Sequence, residues 1–323
     1  MARHPPACHS RHLTGHKNRQ EKQNKRMLTF LPYSQFLRMT GHFTVSQNEN
    51  TRFCDLTPGN LLLWEDYLSV SCAAEGDRIY LRFNRLDGQV CFLPADGRVL
   101  PQDLPRLTEA AEMLGVPLCL FPLEEQTAAV LAARLSDAVA APVPDTADYL
   151  YDAEALSTFR GHKYNGQRNH VNKFLSLYPD WQCLPAEEVP QEQIAAFLHQ
   201  YFEQSVAGAP AHEAEHSVSC RLLADPAHGG LAADALVADG RVVAVAMGEA
   251  VGDTLYVHVE KALREVPGAY QMMVQQFACR HTGGGVRYVN REEDDGNQGL
   301  RTAKLALHPL AVPEKWAVTV AHA

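Results

Sequence analysis

Apolar and polar residues change period several times along the chain, and the changes mark out its elements. Short alternating runs predict strands, and apolar residues three and four apart predict helices. Residues 78–84 (RIYLRFN) and 89–93 read as paired strands around an Asp87-Gly88 turn. Over 104–114, Leu104, Leu107, Ala111 and Leu114 share one helix face, and Gly115 is placed to end it. A buried strand at 117–121 and a helix at 124–135 follow. The stretch 138–148, rich in Ala, Pro and Asp, reads as a linker. The second half predicts helices over 156–177 and 194–203, then adjacent strands at 241–251 and 254–260 across Gly252-Asp253. It closes with a helix at 268–280, a strand at 286–292, a helix at 299–307 and a last strand at 316–320.

This alternation predicts an α/β (α+β) protein with mixed central sheets flanked by helices. Three spans are expected: a basic leader over 1–26, a first domain over 27–145 and a second over 146–323. The chain has 323 residues, 46% of them hydrophobic, enough for two cores. Its formal net charge of -9 excludes a uniformly basic nucleic-acid binder, so any basic site must be local. The leader is Arg/Lys-rich and has no apolar run to bury. It is expected to be a disordered tail, or an extension ahead of a start at Met27. No 18-residue apolar run is present, so no membrane-spanning helix is expected. The 8 cysteines are scattered without a CxxC pair. That suits a reducing, cytoplasmic location and no bound metal.

Four segments carry candidate chemistry. The densest is 288–309, YVNREEDDGNQGLRTAKLALHP. An apolar strand there runs into Asn290, Arg291, Glu292, Glu293, Asp294 and Asp295, then a glycine-bracketed turn, then a basic helix. Next is the strand at 254–260, where Tyr256, His258 and Glu260 share one face. His258 there is either a proton acceptor or a hydrogen-bonded core histidine, and Glu249 ends the strand beside it. The helix over 161–178 places Arg168, with Asn172 nearby, along its apolar stripe. Arg168 either pairs with a carboxylate such as Glu292 or Asp294, or grips a substrate phosphate or carboxylate. His162, Lys163, His170 and Lys173 add local positive charge. Finally, Gly268 opens a helix whose free N–H groups either receive an anion or form an ordinary cap. HEAEH at 212–216 fits the two-histidine zinc pattern, but Pro210 stands two residues before His212, so any helix has barely begun there and no zinc site is expected.

Several segments together resemble the phosphatidylglycerol lysyltransferase C-terminal domain family. They are the Asn-Arg-Glu run with Gly-Leu-Arg and a Lys-bearing helix, DYLY at 148–151, GHKYNGQRNHVNKF at 161–174, HVEKA at 258–262 and GAYQ at 268–271. The likeness covers 148–309. Before that only the order of elements matches. Asp295 and Asn297 stand where the family has apolar residues, and Ala306 where it has Ser. The resemblance implies a tandem GNAT-like acyltransferase fold whose first copy is degenerate. It implies transfer of an aminoacyl group from the acceptor end of aminoacyl-tRNA to a lipid head group or another hydroxyl or amine acceptor. No tightly bound cofactor is implied. The loop REVPGAYQ lacks the glycine pattern with which ordinary GNAT enzymes bind coenzyme A. An acyl-coenzyme A N-acyltransferase and a non-catalytic module binding tRNA or lipid head groups are the alternatives. On this reading His258 or Glu249 handles the proton, with Glu292. Arg168, Asn172, Asn290, Arg291 and Arg301 anchor anionic groups. Glu292 and Asp294 bind an amino group or orient the arginines. Tyr256, Glu260 and Gly268 line the site. Lys304 contacts a phosphate or oxyanion, or is a surface charge.

Overall fold

A computed structural model describes residues 27–40, 52–204, 210–226 and 230–321, with side chains of 210–212 left out. The leader 1–26 lies outside the described residues. The first half contains strands β1 (Leu31–Pro32), β2 (Ser71–Glu75), β3 (Arg78–Asn84), β4 (Val90–Pro94), β5 (Leu118–Leu123) and β6 (Ala138–Pro142). Its helices are α1 (Tyr33–Thr40), α2 (Pro58–Leu63), α3 (Asp103–Leu114) and α4 (Glu125–Arg134). The second half begins with β7 (Leu150–Asp152), α5 (Ala153–Thr158), α6 (Asn165–Leu177), β8 (Gln182–Pro185), α7 (Gln191–Gln204) and α8 (Pro210–Ala224). It continues with β9 (Ala232–Ala238), β10 (Arg241–Val251), β11 (Thr254–Ala262), α9 (Ala269–His281), β12 (Tyr288–Asn290), α10 (Gln298–Leu305) and β13 (Trp316–Val320).

Two mixed sheets result, ordered β1-β2-β3-β4-β5-β13-β6 and β7-β12-β11-β10-β9-β8. In each, an antiparallel meander is followed by one parallel pair, β4 with β5 and β11 with β12. The crossovers run through α3 and α9, as a parallel pair requires. This is a tandem GNAT-like arrangement. One strand crosses between the halves. β7 extends the second sheet beside β12, whereas β13, from the end of the second half, enters the first sheet between β5 and β6. Two sequence expectations change here. The segment read as a linker, 138–148, holds β6. The final strand, placed with the second half, completes the first sheet.

The helix expected over 156–177 is broken. Phe159 and Gly161 adopt positive φ (47° and 100°), and α6 restarts after a short 3₁₀ turn. α3 ends as expected at Gly115 (φ 66°), whose N–H returns to the carbonyls of Ala111 and Glu112. Two cores form, one per sheet. α2 joins them: Leu61 is buried in the first and Leu63 in the second, while Leu62 touches both. Burying each such leucine stabilises by about 1.5–3 kcal/mol, so α2 acts as a rivet between the halves.

Candidate functional site

β11 and β12 pair over three residues only, ending at Tyr256 opposite Asn290. β11 then continues to Ala262, while the other chain turns away through 291–296. Glu292 and Asp295 take positive φ there (57° and 48°). Left-handed backbone at non-glycine residues costs about 1–3 kcal/mol and persists only where the surroundings enforce it. The enforcement is visible. Lys304, from α10, is buried, and its Nζ donates to the carbonyls of Arg291 (2.7 Å), Glu292 (3.1 Å) and Glu293. Asn290 accepts from the Glu292 N–H (2.7 Å) and donates to Arg52 O (2.6 Å) and Asp148 Oδ2 (2.9 Å). Arg301 donates to both oxygens of Asp294 (2.8 and 2.7 Å) and to Asp145 (2.7 Å). The hydrogen bonds from Arg301 hold Asp294 down to about 2, against the opposing effect of burial.

The gap between β11 and this turn is bridged by side chains. His258, buried, joins Glu292 through Nδ1 (2.7 Å) and Glu249 through Nε2 (3.1 Å). From the first half, α2 adds the Gly59 N–H on Glu249 Oε1 (2.6 Å) and Asn60 Nδ2 on Glu292 Oε1 (3.1 Å). Burial alone would lower the imidazole pKa. The two carboxylate hydrogen bonds outweigh it and lift His258 to about 9. Burial raises Glu292 above its ordinary value, partly offset by His258. Two residues further along β11, Glu260 pairs with Arg291, whose Nη2 also donates to Tyr270 Oη (2.6 Å).

A second buried cluster lies behind the turn. Lys315, just before β13, is fully buried and pairs with Asp55, Asp148 (2.9 Å) and Glu293. Its Nζ lies 3.5 Å from Cys54 Sγ, which contacts Asp148 (3.2 Å) and Glu293 (3.3 Å). Burial pushes the Cys54 thiol up and Asp55 to about 7. Cys54, Asp55 and Glu293 are close enough to share a metal ion, yet the Lys315 ammonium already supplies the cation among them.

The structure therefore brings together Glu249, His258, Glu260, Asn290, Arg291, Glu292, Asp294, Arg301 and Lys304, and revises several expected roles. His258 has both nitrogens engaged and keeps its proton below about pH 9, so it offers no lone pair to an attacking group. Lys304 is neither a surface charge nor open to a phosphate, because three carbonyls occupy it. Asn290 and Arg301 pin the turn rather than face a ligand. Arg168 does not pair with Glu292 or Asp294: it donates to the carbonyls of Phe159 and Gly161 (2.7 Å) and to Asn165, closing the break before α6. Asn172 is exposed on α6. Tyr256 is fully buried in β11. Gly268 (φ 83°) does not cradle an anion on its Cα side, since a Cβ there would lie 2.2 Å from the carbonyl oxygen of His170 on α6. Glycine is required by that close approach of two helices. Of HEAEH, Glu215 pairs with Lys261 (2.6 Å) and His216 packs on Phe202 (4.1 Å between ring centroids). The side chain of His212 lies outside the described residues.

Sequence reasoning missed Gly59, Asn60, Lys261, Tyr270 and the Lys315 cluster. Thr57-Pro58 was a readable helix start, since Thr57 accepts from Asn60 N. Nothing local marks Lys315 as buried.

The profile of the family described as phosphatidylglycerol lysyltransferase, C-terminal, matches residues 49–319. No functionally curated protein matches the chain. Among solved structures, a conserved protein of unknown function from Bacteroides thetaiotaomicron is 28% identical, with a TM-score of 0.78 over 91% of this chain and 100% of that one. The C-terminal domain of a putative lysylphosphatidylglycerol synthetase from Agrobacterium fabrum is 13% identical, with a TM-score of 0.58 over 81% of this chain and 86% of that one. L-PGS from Bacillus licheniformis is 13% identical, with a TM-score of 0.56 over 89% and 90%. At 13% identity these last two speak to fold alone.

Proposed function

The chain belongs to the phosphatidylglycerol lysyltransferase C-terminal family, and from that premise we propose that it moves an aminoacyl group from aminoacyl-tRNA to a hydroxyl or amine acceptor such as a lipid head group. The observation that carries the choice of donor is the start of α9. An ordinary GNAT enzyme seats the coenzyme A pyrophosphate on that helix start. Here α6 packs against it, with the His170 carbonyl in the space a Gly268 side chain would take. The Ala269 N–H is already bonded to Val266 O (3.2 Å). A carbonyl oxygen repels a phosphate where free N–H groups would attract one.

The outer face of α6 and the 3₁₀ turn before it suit an RNA end. His162 and Lys163 in the turn, and His170 and Lys173 on α6, are exposed, and 155–179 contains no Asp or Glu in an acidic chain. Such a patch neutralises backbone phosphates without setting sequence preference. The transfer itself is acyl chemistry. It needs an activated ester, a place for the carbonyl oxygen and a path for one proton.

The test compares donors. Full-length protein is mixed with aminoacyl-tRNA or with acetyl-coenzyme A, and melting temperature and transfer to phosphatidylglycerol vesicles are measured. Stabilisation and transfer by aminoacyl-tRNA alone are expected. Stabilisation by acetyl-coenzyme A alone would establish the N-acyltransferase reading instead. The double variant K163E/K173E should weaken tRNA binding and reduce the salt slope by about 2. An unchanged slope would remove α6 from the interface.

A further inference from the structure

A cavity of about 320 Å³ lies at the junction of the halves. Three parts of the chain line it. Arg52 and Phe53 come from ahead of α2, Glu124 and Glu125 from the start of α4, and Leu150, Glu314 and Trp316 from where β13 crosses into the first sheet. None of these residues belongs to the cluster around His258. Phe53, Leu150 and Trp316 make its larger apolar walls, and its charged groups are one guanidinium and three carboxylates. The guanidinium is engaged elsewhere. Arg52 donates to both oxygens of Asp253 (3.2 and 2.9 Å) and lies over the Tyr288 ring, 4.4 Å from its centroid. That contact holds Asp253 below the ordinary carboxylate range. The carboxylates differ: among the described residues, the side chains of Glu124, Glu125 and Glu314 have no ion pair and no hydrogen bond. Glu124 stands at the N-cap of α4, where a shorter polar side chain would bond the first N–H groups, and its own makes no such bond. It is partly buried instead, and burial lifts its carboxyl above the ordinary range with no described cation to offset it.

Small-molecule sites are mostly apolar hollows with a few polar groups that fix orientation, and this cavity has that make-up at the small end of the range. Its chemistry selects a cation. A carboxylate in apolar surroundings is stabilised by a positive charge, and an aromatic wall favours one as well. An anion is repelled by all three glutamates. A bare divalent ion would use the carboxylates but gain nothing from Phe53, Leu150 and Trp316, since it binds through oxygen. A methylene chain ending in an ammonium group satisfies both kinds of wall. We propose that the cavity binds a small aliphatic amine, a diamine or polyamine, with its chain against Phe53, Leu150 and Trp316 and its ammonium groups at Glu124 and Glu314. Because both halves and the crossing strand line the cavity, an occupant ties them together and stabilises the native junction. The site is separate from the transfer reaction and stands whether or not that reading holds.

Three probes test this on the full chain at physiological ionic strength, where loose attraction to an acidic surface is screened. Cadaverine carries an ammonium at each end of a five-carbon chain, glutarate carries carboxylates on a chain of the same length, and Mg²⁺ carries the charge without the chain. Cadaverine should bind by calorimetry, raise the melting temperature and change the tryptophan fluorescence, and glutarate and Mg²⁺ should do none of these. Trp316→Phe keeps an aromatic wall, so it should still bind cadaverine but lose the fluorescence change. E124Q/E314Q should melt near the wild-type temperature without ligand, because neither side chain has a partner to lose, and should bind cadaverine about tenfold or more weakly. Should the double variant fail to fold, Glu314→Gln alone, at an exposed position, is expected to weaken binding likewise. No binding of cadaverine, equal binding of Mg²⁺, unchanged affinity in the folded glutamine variants or a fluorescence change that survives in Trp316→Phe would each overturn the proposal.

Discussion

Replacing Gly59 by Ala should destabilise the whole molecule, although the exchange favours a helix. Gly59 lies in α2, from the first half, and its N–H meets Glu249 of the second at 2.6 Å. A Cβ at this position would lie 2.5 Å from His258 Nε2, 2.7 Å from Leu231 Cδ2 and 2.8 Å from Glu249 Oε1. None of these atoms can give way easily, because His258 is held from both sides by carboxylates. Either α2 withdraws or the ion pairs open. Overpacking of this kind costs about 1–3 kcal/mol. Losing a hydrogen bond to a charged group costs about 1.5–3 kcal/mol. The gain in helix propensity offsets about 1 kcal/mol. The net loss is therefore about 1.5–5 kcal/mol, or roughly 3–20 °C in melting temperature at about 2–4 °C per kcal/mol. Thermal unfolding followed by circular dichroism measures it. Gly166→Ala in α6 is the control, because a Cβ there meets nothing within 4 Å. It should stabilise by about 0.4–1 kcal/mol. If Gly59→Ala melts at or above the wild-type temperature, as the control should, the close packing of α2 on the His258 cluster is refuted.

Stability should depend on pH through His258. Its folded pKa, about 9, lies above the ordinary 6.5, so its contribution is complete below about pH 6.5 and is lost as pH rises through 9. That shift corresponds to about 3 kcal/mol, and urea unfolding at pH 6 and pH 9.5 should show a drop of this order that His258→Gln removes. Equal stability at the two pH values in the wild type would show that His258 is not held charged. Lys315→Met should cost about 3–5 kcal/mol, because Asp55, Asp148 and Glu293 remain buried without their cation. A fully stable variant would mean that these carboxylates are protonated or hydrated in the fold. Arg301→Ala should lower the melting temperature and raise the midpoint of acid unfolding, since Asp294 loses the contact that depresses its pKa. If the variant loses affinity for aminoacyl-tRNA with an unchanged melting temperature, Arg301 contacts the ligand and the clamp assignment fails.

The sequence determined whatever depends on near neighbours. Strands β3, β10 and β13 lie where alternation and turn residues put them, and α3 ends at Gly115 because a positive-φ cap needs no distant partner. The two-residue period of a strand would put Tyr256, His258 and Glu260 on one face, but the register slips by one residue at His258, so Tyr256 lies across from Glu249 and Glu260 across from Ala246, and the shared face is lost. The polar run after Tyr288, read with the segments around it, also marked where the buried charge cluster forms, because charged residues at a strand end need partners wherever they finish. Which partner each one takes was a tertiary matter. His258 became a charged bridge because α2, about 200 residues earlier, brings Gly59 and Asn60 onto its carboxylates. Lys304, Arg301 and Asn290 became supports for a strained turn because α10 folds back over it. Lys315 became a buried cation because β13 crosses into the first sheet. A local pattern fixes how a residue points from its own element. It carries no information about which element, from which half of the chain, will pack against it, and for buried charges that partner decides both protonation and role.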